Sequence, residues 1–210
     1  MLLLCAAQPR TQPRPQGSLY IRPLLIGTGP ILGLAPAPEY TFVVYASPVA
    51  AYFKGGQLTP IDLIVETEYH RAAPGGTGGT KCIGNYSPVL KTQLEAKGSG
   101  YSDVVYLDAR ENKYIEEVSS CNIFVVKGKK ISTPSLTGTI LPGITRKSII
   151  DLARLQGYQV EERPVTIDEA VQADELFCTV RSRHVVCPLP PSVTPSTRRA
   201  RLWWSSPSAA

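Results

Sequence analysis

Apolar residues fall into short β-rich runs separated by glycine, proline and charged turns, with two stretches of helical period. Leu19–Ile26 predicts a strand, and Pro23 inside it marks an edge or a bulge. Tyr40–Ala46 is rich in aromatic and β-branched residues and predicts a central strand; Ile61–Glu66 predicts a third. Asn85 is placed to cap a helix running to about Lys97, with Gly98 and Gly100 as stop signals. Asp103–Asp108 and Tyr114–Val126 follow as strands, the second broken at Ser119-Ser120, and Lys127–Lys130 turns the chain into Ile131–Thr133. Gly143 opens a helix through Leu155. Its Ile149, Leu152 and Ala153 stand at i, i+3 and i+4 on one face, and Gly157 ends it. Gln159–Val165 predicts a strand, Thr166 and Glu169 a capping box for a short helix, and Glu175–Val180 a last strand.

Outside these elements the chain changes character. Residues 1–16 are rich in Pro, Gln and Arg and read as an unstructured leader. Residues 181–210 mix Pro, Ser and Arg, leave Trp203-Trp204 without a periodic partner, and read as a disordered tail. The ordered part is therefore expected over 17–180. A chain of 210 residues is one large domain or two small ones, and at 43% hydrophobic it can bury a real core. No apolar run approaches the ~20 residues of a membrane-spanning helix. Met1–Ala7 is too short for a signal-peptide core and lacks a basic start.

The net charge of +5 is unevenly spread: the first acidic residue is Glu39 and the last Glu175, so both ends are basic. Arg198-Arg199-Ala200-Arg201 is read as a solvated tail rather than a nucleic-acid or membrane contact. Five cysteines form no C-x-x-C pair, which argues for a reducing compartment. His184 and Cys187 have a weak metal-like spacing with no second pair, so no metal is expected.

Chemistry concentrates in Gly75–Tyr86, a glycine-rich loop that delivers one lysine, Lys81, with Tyr86 five residues on. Glycines allow close backbone approach to a ligand, and a lysine that loses its proton attacks aldehydes. A phosphate loop fails twice, because Lys81 follows Thr80 and Cys82 stands where a Ser or Thr would hold magnesium. A solvated surface loop is the plainer alternative. Three further features could serve one cofactor. Leu141–Arg146 turns tightly into a helix whose first amides could hold a phosphate. Glu116 and Glu117 put carboxylates inside an apolar strand pair, where either needs a partner, such as a protonated pyridine nitrogen. Tyr20 and Arg22 share one strand face and could meet a substrate carboxylate.

Together, G-S-L-Y-I-R-P, G-G-T-G-G-x-K-x-x-G-N-Y, E-E-V-S-S-x-N-I-F and T-I-L-P-G-I-T-R-x-S resemble the fold-type IV aminotransferases, specifically the branched-chain amino-acid aminotransferases of plants, over about Gly17 to Cys178. The resemblance implies a mixed α/β fold: the large cofactor domain, a mixed sheet or pseudo-barrel flanked by helices. It implies pyridoxal 5'-phosphate and transfer of an amino group between leucine, isoleucine or valine and 2-oxoglutarate. By resemblance, Lys81 would carry the cofactor as a Schiff base and shuttle the proton. Glu117 would hold the pyridine nitrogen protonated, and Tyr86 would bond the phenolate oxygen. The amides of Ile144 and Thr145 would take the phosphate, with Ser120, Tyr20 and Arg22 near substrate or phosphate. Arg71 matches a family arginine to which no role is assigned. A homodimer is implied, in plastid or mitochondrion, although Met1–Gln16 is a poor transit peptide and would leave the chain in the cytosol.

The departures set further expectations. The smaller N-terminal domain of the family is replaced by sixteen unrelated residues. The reading Thr179-Val180-Arg181-Ser182 breaks from the family's pattern, as a frameshift or an alternative splice product would. Turnover by this chain is accordingly expected to be weak or nil. D-amino-acid aminotransferase or aminodeoxychorismate lyase chemistry on the same scaffold, and a non-catalytic partner of a full-length subunit, are the alternatives.

Overall fold

The computed structural model describes residues 17–50, 61–180, 183–188, 192–194 and 199–201. The expected leader, Trp203-Trp204 and part of the expected disordered tail lie outside them. The chain divides into two units, Met1–Gln57 and Leu58–Ala210.

In the first unit β1 (Gly17–Thr28) pairs antiparallel with β2 (Glu39–Ala50), in continuous register from Gly17 opposite Ala50 to Thr28 opposite Glu39. Pro23 lies opposite Val44. A two-stranded ladder leaves an outer edge on each strand, which accommodates a residue with no N–H. The same geometry corrects the expectation for Tyr40–Ala46: β2 lies in a two-stranded sheet and is not a central strand.

The second unit is built mainly on a three-stranded and a five-stranded sheet. In the smaller, β3 (Leu63–Glu66) runs parallel to β4 (Asp103–Leu107), which pairs antiparallel with β5 (Ile115–Val118). The larger has the order β10-β9-β6-β7-β8, formed by β6 (Asn122–Lys127), β7 (Lys130–Thr133), β8 (Gln159–Glu162), β9 (Glu175–Val180) and β10 (Arg183–Pro188). Parallel neighbours need a long crossover. Helix α1 (Ser87–Gly98) lies within the β3–β4 connection and α2 (Ile144–Leu155) within the β7–β8 connection. Inside the segment expected to be disordered, β10 pairs antiparallel with β9, and β11 (Ser192–Thr194) with β12 (Arg199–Arg201).

Three apolar clusters hold this unit. The first joins Leu63, Val105 and Val118 to Ile123, Val125 and Leu176, drawing on both sheets. The second packs Val89 and Ala96 of α1 on Val104 and Tyr106; the buried Thr92 and Tyr106 hydroxyls bond each other beside them. The third sets Phe124 and Ile131 against Ile150 and Ala153 of α2, with the Phe124 and Phe177 rings stacked 4.8 Å apart.

Local signals place most boundaries. The Thr166 hydroxyl accepts the Glu169 amide and starts the short helix α3 (Ile167–Val171), and Gly157 takes φ +79° just past α2. Two expectations fail. Asn85 does not cap α1, because a 3-10 turn over Ile83–Tyr86 intervenes and Tyr86 takes the cap position. The inward face of α2 is Arg146, Ile150 and Ala153, with Ile149 at its margin, while Leu152 is exposed. Arg146 counts as an inward residue because its guanidinium reaches the Pro134 carbonyl at 2.9 Å and Glu162 at 3.0 Å. Hydrophobicity alone gives no sign of that.

Candidate active site

The glycine loop is held against the strap Thr137–Leu141 that precedes α2. The Gly79 amide donates to the Gly138 carbonyl at 2.8 Å. At Gly78 a Cβ would stand 2.4 Å from the Thr139 carbonyl oxygen and 2.5 Å from the Ala72 Cβ, so glycine is required there by contact. Asn85 fastens the loop from its far side. Its amide nitrogen donates to the Thr77 and Thr80 carbonyls, each at 2.8 Å, and its oxygen accepts the Thr77 hydroxyl at 2.6 Å. The capping signal at Asn85 is thus a real preference for backbone partners, directed to the loop instead of the helix.

The 3-10 turn then brings Tyr86 back to the lysine. Lys81 Nζ donates to the Tyr86 hydroxyl and lies 5.1 Å from the centroid of its ring. Across the cleft, Glu117 on β5 is buried and fixed from three sides. Its Oε1 accepts from the Asn122 side-chain amide at 2.7 Å and the Leu141 backbone amide at 2.8 Å; its Oε2 stands 3.2 Å from the Arg71 guanidinium. Burial pushes its carboxyl up to about 7, against the downward pull of Arg71, the Leu141 amide and Lys81 and with the upward push of Glu116. Glu116 serves a different partner: it accepts the Thr139 hydroxyl, and burial raises it as well.

Arg71, Gly78, Lys81, Tyr86, Glu117 and Ser120 are among the residues that line one cleft. Four of the residues singled out in the sequence therefore come together: Lys81, Tyr86, Glu117 and Ser120. Leu141 also lines it, and α2 starts three residues later at Ile144 and Thr145, with no side-chain cap and no acid in its first turn. Asn122 links these parts, since its amide nitrogen bonds both Glu117 and, at 2.9 Å, the Leu141 carbonyl. Tyr20 and Arg22 belong to the hairpin unit, where the Arg22 guanidinium donates to the Tyr20 hydroxyl and lies 5.2 Å from its ring. Sequence reasoning left Arg71 without a role and missed Asn122 and Thr139; a lone arginine beside a glycine loop and a polar residue within an apolar strand were the available signals.

A lysine amine, a phenol hydroxyl and a buried carboxylate around one cleft, beside an uncapped helix start, form a donor set suited to a ring that bears an aldehyde, a phenolate, a basic nitrogen and a phosphate. This arrangement, on this mixed sheet architecture, defines a class of cofactor-dependent group-transfer enzymes. The chain belongs to the class IV amino-transferase family, whose model (Amino-transferase class IV) matches residues 5–186. It is 67% identical over 174 residues to branched-chain-amino-acid aminotransferase 3, chloroplastic, of Arabidopsis thaliana, covering 82% of this chain and 42% of that protein. Its structure resembles that of the Escherichia coli branched-chain amino acid aminotransferase, with a TM-score of 0.71 and 34% identity over 80% of this chain and 56% of the other. It also resembles the branched-chain amino acid aminotransferase from Thermobaculum terrenum in its PLP (holo) form, with a TM-score of 0.69 and 25% identity over 80% of this chain and 54% of the other. The chain spans about two fifths of the length of the curated relatives it matches.

Proposed function

We propose that this chain carries the cofactor-binding part of a pyridoxal 5'-phosphate-dependent aminotransferase acting on leucine, isoleucine or valine with 2-oxoglutarate. The observation that carries the reading is the convergence of Lys81 Nζ, the Tyr86 hydroxyl and the Glu117 carboxylate on one cleft. The cofactor, when bound, supplies the electron sink for a carbanion at the substrate α-carbon. Lys81 would hold the cofactor through its aldehyde, with loss of water, and its Nζ would carry the α-proton. Tyr86 would bond the phenolate oxygen. Glu117, held by Arg71, Asn122 and the Leu141 amide, would pair with the ring nitrogen and keep its proton in place. The first-turn amides of α2, at Ile144 and Thr145, would take the phosphate, with Ser120 as a further contact for phosphate or substrate. Tyr20 and Arg22 offer a hydroxyl and a guanidinium to a substrate carboxylate.

The identity to a branched-chain enzyme supports that substrate class. The exposed apolar side chains of the hairpin, among them Ile21, Leu25 and Phe42, support a homodimer that covers them. Relatives named chloroplastic and mitochondrial support an organellar location.

The test is to add pyridoxal 5'-phosphate to the purified chain, reduce with borohydride and map the adduct by mass spectrometry. An adduct at Lys81 is the expected result; in a separate, unreduced sample, any glutamate formed from 2-oxoglutarate should come with L-leucine and not with D-alanine. Labelling spread over surface lysines, with none selective for Lys81, would sink the reading.

A further inference from the structure

Glu116 is a buried acid to which the proposed chemistry gives no task. Successive strand residues point to opposite faces, so Glu116 leaves β5 away from the side taken by Glu117. Its Oε1 accepts the Thr139 hydroxyl, while its Oε2 is buried without a hydrogen-bond partner. The Thr139 carbonyl in turn accepts from the Arg71 guanidinium, and the same Arg71 nitrogen stands 3.2 Å from Glu117. Arg71 Nε is also buried without a partner. Arg71 therefore pairs directly with Glu117, while Thr139 touches both the guanidinium and the second buried acid, Glu116. A buried carboxylate oxygen and a buried guanidinium N–H, each without a hydrogen-bond partner, gain by pairing where the fold lets them meet, and the Arg71 charge already acts on Glu116. Here the Thr139 hydroxyl occupies Glu116 and the Thr139 carbonyl occupies Arg71.

We propose that Glu116 is a positioning residue that competes with Glu117 for Arg71, and that the Thr139 hydroxyl is the latch holding Glu116 off the guanidinium. The charge that Glu117 presents to the cleft is then set from the opposite face of its strand. The surrounding charges are consistent with this. Arg71 favours the ionised form of both acids, and Glu116 opposes ionisation of Glu117. His70 favours, and Asp108 opposes, ionisation of Glu116; Lys81 favours that of Glu117. The significance for a ring nitrogen rests on the proposed function, but the coupling does not.

The full chain without cofactor, labelled with carboxyl ¹³C-glutamate, reads the coupling directly. The Glu117 resonance is assigned by its loss in Glu117→Gln. Glu116→Gln keeps an acceptor for Thr139 and removes the charge, so Glu117 titrates about 1 pH unit lower. Thr139→Val keeps the charge and removes the latch, so Glu116 turns to Arg71 and Glu117 titrates about 1 unit higher. Thr139→Ser restores the original titration. A merely structural role does not move one titration in opposite directions. An unchanged Glu117 in either variant, or shifts of one sign in both, overturns the proposal; if Glu116→Gln does not fold, the Thr139→Val and Thr139→Ser pair decides alone. Failure of the borohydride test leaves this titration readable, so the two readings fail separately.

Discussion

Strands β1 and β2 carry apolar runs as long as any in β4 to β6, yet the two regions end in different environments. Tyr106 and Phe124 are fully buried, whereas Leu25 and Phe42 of the hairpin are 66% and 65% exposed. In the Leu58–Ala210 unit the three- and five-stranded sheets contribute to three buried clusters. The hairpin unit has two strands and no further layer among its described residues. Two strands alone are marginal in water, so an apolar run of this kind marks a strand without securing its burial. The unit with a core holds the Lys81–Tyr86–Glu117 cleft; the hairpin offers exposed apolar surface.

Substitutions can break this contrast. Phe124→Ala removes a buried, stacked ring and is expected to destabilise the protein by about 3–5 kcal/mol, read by urea unfolding. A cost below about 1 kcal/mol would mean that the unit is not packed as described. Gly78→Ala forces a methyl into the Thr139 carbonyl; a loss of about 1–3 kcal/mol is expected, together with loss of the Lys81 adduct. Retention of both would detach the glycine loop from the strap.

Glu117 sharpens the contrast through pH. Its folded carboxyl is raised from 4.5 to about 7, so its contribution is fully present below the lower value and is lost as pH rises through the upper one. Unfolding midpoints of the natural chain should therefore fall, relative to Glu117→Gln, between pH 4.5 and about 7; parallel profiles would show that the group is not buried as described. Thr166→Ala removes the α3 cap, and a loss of about 1 kcal/mol is expected by the same unfolding assay. Phe42→Ser has the smallest expected effect on unfolding, within about 0.5 kcal/mol, since the ring is largely exposed. Under the proposed homodimer its mark should appear in sedimentation, as a shift from dimer to monomer, and an unchanged sedimentation coefficient would remove the hairpin from that proposal.

The sequence by itself determined the elements and much of the cleft. The strand break at Ser119-Ser120, the turn at Lys127–Lys130, the helix from Gly143, the Thr166 cap, and the pairing of Lys81 with Tyr86 depend on residues within a few positions of one another. Local backbone preference and short spacing are written in the chain and survive folding. The tertiary structure alone decided the rest. Arg71 meets the Thr139 carbonyl 68 residues away, Asn112 donates to the Thr67 carbonyl 45 residues back, and Leu152 of α2 lies exposed while Arg146 is buried. Asn85 and Glu116 were visible as polar residues, but their partners were not. A buried polar group must find whatever complement the fold brings to it, and that complement is set by which strands and straps become neighbours, which local sequence does not encode.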